Sequence, residues 1–186
     1  MARTLSTMVA LGTRAPDFTL PDTVSGKDLS LESIKGETGS MIMFICNHCP
    51  FVKHINTELV KLANEYKSKG IGFVGISSND IINHPEDSPG LMTQVAKQLK
   101  YPFPYLYDES QETAKAYNAA CTPDFFIYNK DLHLVYRGQL DDSRPGNEIP
   151  VTGKDLRHAL DCLINNEPVI QEQRPSIGCN IKWKQA

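Results

Sequence analysis

No stretch of this sequence is apolar for long enough to cross a bilayer, which takes about 20 consecutive residues as a helix, so no membrane partner is expected. Basic residues are not in excess: 19 Lys and Arg stand against 22 Asp and Glu, a formal net charge of −3. Without a basic run interleaved with aromatics there is no groove to track phosphates, and nucleic acid is not an expected partner. The segment Leu5 to Leu11 is short and broken by Ser6 and Thr7. It lacks the apolar core and small-residue cleavage site of a secretory leader, which makes a cytoplasmic location the expectation. No internal repeat and no low-complexity segment divides the 186 residues, so one domain is expected, with a core over about residues 11–166 and a C-terminal tail over 167–186. Cysteine is too sparse and too irregular for a disulfide framework: five are present, Cys46, Cys49, Cys121, Cys162 and Cys179.

The patterning that is present predicts a mixed α/β chain. Residues 11–35 alternate short apolar groups with turn residues and read as a hairpin-like lead-in followed by a turn of helix near Glu32 to Lys35. Met41 to Ile45 is a compact apolar run suited to a buried strand, and Ile71 to Ser77 is a second. Between them Val52, Ile55, Leu59, Leu62, Ala63 and Tyr66 recur at helical spacing, with Gly70 closing the helix. Further helices are predicted over Leu91–Leu99, Glu109–Tyr117 and Lys154–Leu163. Tyr101 to Tyr105, with Pro102 and Pro104, reads as an extended connector. Asp124–Tyr128 and Leu132–Tyr136 flank the turn Asn129-Lys130-Asp131 and predict an antiparallel hairpin. The tail shows no period.

The first apolar run ends at Cys46-Asn47-His48-Cys49-Pro50. A cysteine delivered to the start of a helix meets unpaired N–H groups and the positive end of the dipole, which favour a thiolate on Cys46. A two-residue spacer allows attack by Cys46 and resolution by Cys49, and His48 adds positive charge beside them. The competing reading, half of a structural zinc site, lacks a second ligand pair elsewhere in the chain, and no metal or cofactor is expected. Cys121-Thr122-Pro123 precedes the closing hairpin. A cis proline there would face the cysteine pair, with the Thr122 backbone placed to pair with an extended substrate.

Taken with the lead-in Ala15-Pro16-Asp17-Phe18 and the turn Thr122-Pro123-Asp124-Phe125-Phe126, the chain resembles the thioredoxin-like superfamily, in particular its peroxiredoxin-like and TlpA-like branches. The run Arg174-Pro175-Ser176-Ile177-Gly178-Cys179 is similar to a subgroup with a C-N-H-C motif, and the resemblance spans about Leu11 to Trp183. It implies a thioredoxin fold: a central mixed sheet flanked by helices, with an N-terminal hairpin extension, an insertion before the cis-Pro hairpin and the C-terminal tail. It implies a thiol–disulfide oxidoreductase working on protein or small-molecule thiols and disulfides, with Cys46 attacking, Cys49 resolving, His48 tuning the pair, and Thr122 and Pro123 forming the substrate-side turn. Two departures are visible. Ser40 stands where thioredoxins carry an acid. Gly39 and Met43 stand seven and three positions before Cys46, where peroxiredoxins carry Pro and Thr. The alternatives are a thiol-dependent peroxidase and a binding module whose cysteines only sense redox state.

Of the remaining cysteines, Cys162 sits beside Leu160 and Leu163 and reads as an inert buried thiol. Cys121 is expected at the rim of the site, and Cys179 is a candidate auxiliary thiol on a tail to which Gly178 lends freedom to turn. Trp183 is expected to pack that tail against the body. His54, His84, His133 and His158 share no spacing that suggests a site, and Asp141 to Arg144 reads as a solvated loop from which Arg144 could bear on substrate choice.

Overall fold

The computed structural model describes residues 3–185 of the chain. A short strand, β1 (Arg3–Leu5), is followed by the lead-in hairpin of β2 (Thr19–Pro21) and β3 (Asp28–Ser30). Ser30 then opens a single helical turn, α1 (Leu31–Ile34). Its side chain accepts from the Ser33 backbone N–H while the Ser33 hydroxyl accepts from the Ser30 N–H, a reciprocal cap that satisfies two otherwise orphaned donors.

The next strand, β4 (Gly39–Phe44), leads through the 18-residue helix α2 (Pro50–Lys67) to a parallel partner, β5 (Ile71–Ser77). Met41 and Met43 point into one apolar cluster with Val52, Leu59 and Leu62 of α2, whereas Ile42 and Phe44 point into a second with Phe126 and Tyr128. Burial on both faces is why this strand reads as a continuous apolar run rather than an alternation. There follow α3 (Pro89–Leu99), β6 (Tyr105–Tyr107), α4 (Glu112–Ala116), β7 (Cys121–Thr122), the hairpin of β8 (Asp124–Asn129) and β9 (Leu134–Gly138), α5 (Lys154–Ile164) and β10 (Ile177–Asn180).

The main sheet has the order β6-β5-β4-β8-β9, parallel across its first three strands and antiparallel across the rest. Helices α2, α3 and α5 supply the core on one face; α1, α4 and the lead-in cover the other. This is the flanked mixed sheet expected from the sequence.

Several expectations need correction. Tyr105, placed in a connector, begins the edge strand β6 parallel to β5. Pro102 and Pro104 are tolerated because they precede it, and its outer side is occupied by the lead-in: Tyr105 N–H donates to Asp22 Oδ1 at 3.1 Å and Thr23 N–H to the Tyr105 carbonyl at 3.0 Å. The helix expected from Glu109 starts at Glu112, since the Asp108 carboxylate accepts the Ala114 N–H at 2.9 Å and holds the chain in a turn before it. The tail, in which no period was legible, contains β10, which lies between β1 and β7 in a second, three-stranded antiparallel sheet. Four residues are too short to show a pattern, and partners from both ends of the chain supply the order. The residues just beyond are pinned by polar contacts, Lys182 N–H to Asn79 Oδ1 at 2.8 Å and Lys184 N–H to Gln111 Oε1 at 2.9 Å, while Trp183 stays 40% exposed and is not the anchor.

Gly178 also differs from its expected role. It has no left-handed backbone; a Cβ on it would lie 2.0 Å from the Thr122 carbonyl oxygen. The glycine permits close approach of β10 to β7. Gly178→Ala is therefore expected to lower stability by about 2–3 kcal/mol through overpacking, read as a fall in the urea midpoint. An unchanged midpoint would mean that the two strands part freely.

Candidate active site

Strand β4 ends at Phe44, and residues 45–49 form a loop that delivers the chain to α2, with Cys49 as the N-cap and Pro50 at the first helical position, where its missing N–H costs nothing. The expectation that Cys46 occupies the helix start is thereby corrected, because Cys49 does. All five cysteines are thiols rather than disulfides. Cys46 is 2% exposed and Cys49 fully buried.

Over the pair lies the Thr122–Pro123 turn, whose peptide bond is cis as expected. Thr122 Oγ1 is 3.4 Å from Cys46 Sγ, and the Cys49 thiol approaches the Thr122 carbonyl at 3.1 Å. A third sulfur is present as well: Cys179 Sγ, on β10, lies 3.0 Å from Cys49 Sγ. The edge on which Thr122 was expected to receive an extended substrate is taken by the chain itself, Thr122 pairing with Cys179 and Cys121 with Asn180.

The two thiols of the motif are shifted in opposite directions. Cys49 is lowered to about 4, first by a hydrogen bond from Cys46, then by Cys179, Thr122 and the Val52 backbone N–H, which together outweigh its burial. Cys46 is raised well above the ordinary thiol value by that same hydrogen bond, by burial and by the charge of Asp87. The sulfur at the helix N-terminus, where the dipole favours charge, is therefore that of Cys49.

His48 lies beside Cys46, its Nδ1 4.0 Å from the sulfur, but its hydrogen bond goes elsewhere: Nδ1 donates to Asp87 Oδ2 at 2.6 Å. That bond and the charge of Asp87 raise the His48 pKa against its burial. The ring stacks on His84 with centroids 5.4 Å apart.

Asp87, which no sequence signal identified, organises the loop. Its carboxylate also accepts from the backbone N–H groups of Asn47 at 2.8 Å and His48 at 3.1 Å, and from Asn79 Nδ2 at 2.7 Å. Burial pushes this carboxyl up, yet His48, Asn79 and the backbone donors hold it below the usual carboxylate range. Asn47 is fixed further by the Tyr105 hydroxyl at 3.1 Å and by its own donation to the Glu86 carbonyl at 2.9 Å. Cys46 Sγ, His48 Nδ1 and an Asp87 oxygen lie within 4.8 Å of one another, a grouping of the kind that holds a metal ion. Ser40, at the position where an acid was sought, accepts from the Gly36 N–H as a structural contact. A second buried carboxyl, Asp124, follows the cis proline and is pushed up to about 7 by burial.

Other sequence candidates fall outside this cluster. Cys121 is fully buried, with its thiol turned to the Pro123 carbonyl at 3.6 Å rather than lining an accessible rim. Cys162 neighbours His158 within α5. His54 bonds Ser143 Oγ at 2.7 Å. The loop from Asp141 is less solvated than expected: Asp141 is buried and caps the Ser143, Thr152 and Gly153 N–H groups, and Arg144 folds back onto the Asp141 and Ser143 carbonyls. Arg144 nevertheless borders a small cleft with Phe51, His54 and Pro123.

Residues 11–137 match the model of the AhpC/TSA family. Among solved structures, an uncharacterized conserved protein from Geobacillus kaustophilus is 59% identical with a TM-score of 0.98, the match covering 100% of this chain and 98% of that one. A hypothetical protein from Sinorhizobium meliloti is 48% identical with a TM-score of 0.96, over 98% of this chain and 100% of that one. A putative thiol:disulfide interchange protein DsbE from Chlorobium tepidum, at 19% identity, a TM-score of 0.67 and coverage of 83% and 98%, shows the thioredoxin fold alone. No curated protein matches the sequence significantly.

Proposed function

As a member of the AhpC/TSA family with a thioredoxin fold, the chain carries two thiols under a cis-proline turn, and we propose that it exchanges disulfides through Cys46 and Cys49. The observation that carries the reading is Thr122, before the cis proline, held 3.4 Å from Cys46 Sγ and 3.1 Å from Cys49 Sγ, so that both sulfurs lie together under one turn. In this scheme Cys46 attacks one sulfur of a substrate disulfide, passing its proton to the Cys49 thiolate as the new bond forms. The departing substrate thiolate takes that proton. Cys49, a thiolate again, attacks Cys46 and releases the second substrate sulfur as a thiolate, leaving the Cys46–Cys49 disulfide. Protein or small-molecule disulfides fit this scheme, and the run of steps in reverse would oxidise thiols.

A peroxidase reading is favoured by the family but not by the site. Met43, buried in the core cluster of α2, stands where a hydroxyl would orient the peroxide. The deciding experiment compares two substrates of the reduced protein, a peptide disulfide recycled with dithiothreitol and hydrogen peroxide followed by stopped flow. Sustained turnover of the disulfide is expected, with peroxide consumed no faster than by a free thiol at the same pH. A single turnover that then stops would favour a redox sensor, and rapid peroxide consumption would favour the peroxidase.

A further inference from the structure

Cys179 is 130 residues from Cys49 in the chain, yet their sulfurs are 3.0 Å apart, about 1 Å beyond the 2.03–2.05 Å of a disulfide bond. Resting on the disulfide-exchange reading, we propose that Cys179 is a third redox thiol, which accepts the disulfide from Cys46–Cys49 to give a Cys49–Cys179 bridge.

The fold holds this sulfur in place. Strand β10 is hydrogen-bonded on both sides, to β1 and to β7, and its Cys179 is paired with Thr122, the residue that covers both motif cysteines. Gly178 lets the strand press against the Thr122 carbonyl, and the Ser176 hydroxyl donates to the Pro123 carbonyl at 2.7 Å. The tail thus occupies the edge where an extended substrate would lie and presents a thiol there.

In the relay, the Cys179 thiolate attacks the Cys49 sulfur of the oxidised pair. The Cys49–Cys179 bond forms, the Cys46–Cys49 bond breaks, and Cys46 leaves as a thiolate that takes up the proton Cys179 gave up. One disulfide replaces another, with no electrons gained or lost. The order of events is set by charge. While the pair is reduced, Cys179 is pushed up to about 12 by burial, by its hydrogen bond to Cys49 and by the Cys49 charge, with Lys182 opposing. Oxidation of the pair removes the hydrogen bond and the charge, so Cys179 becomes a better nucleophile once there is a disulfide to accept. The result is a disulfide stored under the tail strand, with Cys46 returned to the thiol state.

The test oxidises the full chain with a small excess of diamide, quenches with acid, alkylates, and maps linked peptides by mass spectrometry after digestion without reductant. Wild-type protein is expected to yield both Cys46–Cys49 and Cys49–Cys179 peptides. Cys46→Ala is expected to form Cys49–Cys179 within about tenfold of the rate at which wild type forms its first disulfide. If wild type forms Cys46–Cys49 while folded Cys46→Ala leaves Cys49 and Cys179 alkylated, the relay is overturned and disulfide exchange stands. If wild type forms neither bridge and turns over no disulfide, both fall. Should Cys46→Ala fail to fold by circular dichroism, wild type is poised across a series of glutathione redox buffers instead. Absence of the Cys49–Cys179 peptide at every poise overturns the relay.

Discussion

Replacing Cys46 by alanine is expected to lower disulfide turnover by about 10³-fold or more, because the sulfur that attacks the substrate is gone. Cys49→Ala is expected to fail differently: the first bond forms, and the mixed disulfide accumulates on Cys46 for want of a resolving thiolate. Intact mass after mixing with a peptide disulfide distinguishes the two, and accumulation on Cys49 in the Cys46→Ala protein instead would reverse the assigned order. The pair also sets a pH dependence. With Cys49 lowered to about 4, turnover is expected to fall as pH drops through about 4 and its thiolate is protonated. The ultraviolet absorbance of the thiolate should titrate over the same range in wild type and lose that step in Cys49→Ala. In the variant the hydrogen bond that most strongly raises Cys46 is missing, so Cys46 should ionise more readily than in wild type.

Asp87→Asn is expected to remove about 3–5 kcal/mol of stability where the ion pair is fully formed, since it leaves a buried partner unsatisfied. Four donors converge on this carboxylate, and an amide accepts through only one of its two side-chain atoms. The pH window follows from the two shifts. His48 is raised in the folded state, so its contribution is complete below the unfolded histidine value of about 6.5 and is lost as pH rises through the folded value. Asp87 is lowered, so its contribution is complete above the unfolded value of about 3.9 and is lost as pH falls through the folded value. Urea midpoints of wild type and variant should therefore differ most between about pH 4 and 6.5, converge as pH falls through the folded Asp87 value, and narrow only in part at higher pH, where Asn79 and the backbone N–H groups still bind the carboxylate. The His48 ring, followed by NMR, should titrate at lower pH in the variant, because burial then acts without the carboxylate. Equal midpoints across the series would show that Asp87 does not hold the loop.

The elements legible in the sequence are those whose signal is local. The apolar run at Met41–Ile45 and the helical spacing from Val52 to Tyr66 report burial through periodicity, and both elements lie where expected. The spacing of Cys46 and Cys49 and the Thr122-Pro123 turn are likewise carried by neighbouring residues. Strand β6 was hidden because three residues behind two prolines look like a connector until β5 and Asp22 pair with them. Strand β10 was hidden because its order comes from Arg3–Leu5 and Cys121–Thr122, at distant points of the chain.

By itself, the sequence determined the strand–helix–strand framework, the redox motif and the turn opposite it, since each depends on contacts within a few residues. Tertiary structure alone decided which cysteine caps the helix, what holds the loop and which thiol stands third. Helix α2 begins at Cys49 rather than Cys46, so the dipole and the Val52 N–H act on the second sulfur. Asp87 reaches His48 across 39 residues, and Cys179 reaches Cys49 across 130. No local pattern marks either contact, because what creates them is the packing of a loop and a tail strand onto the same helix N-terminus.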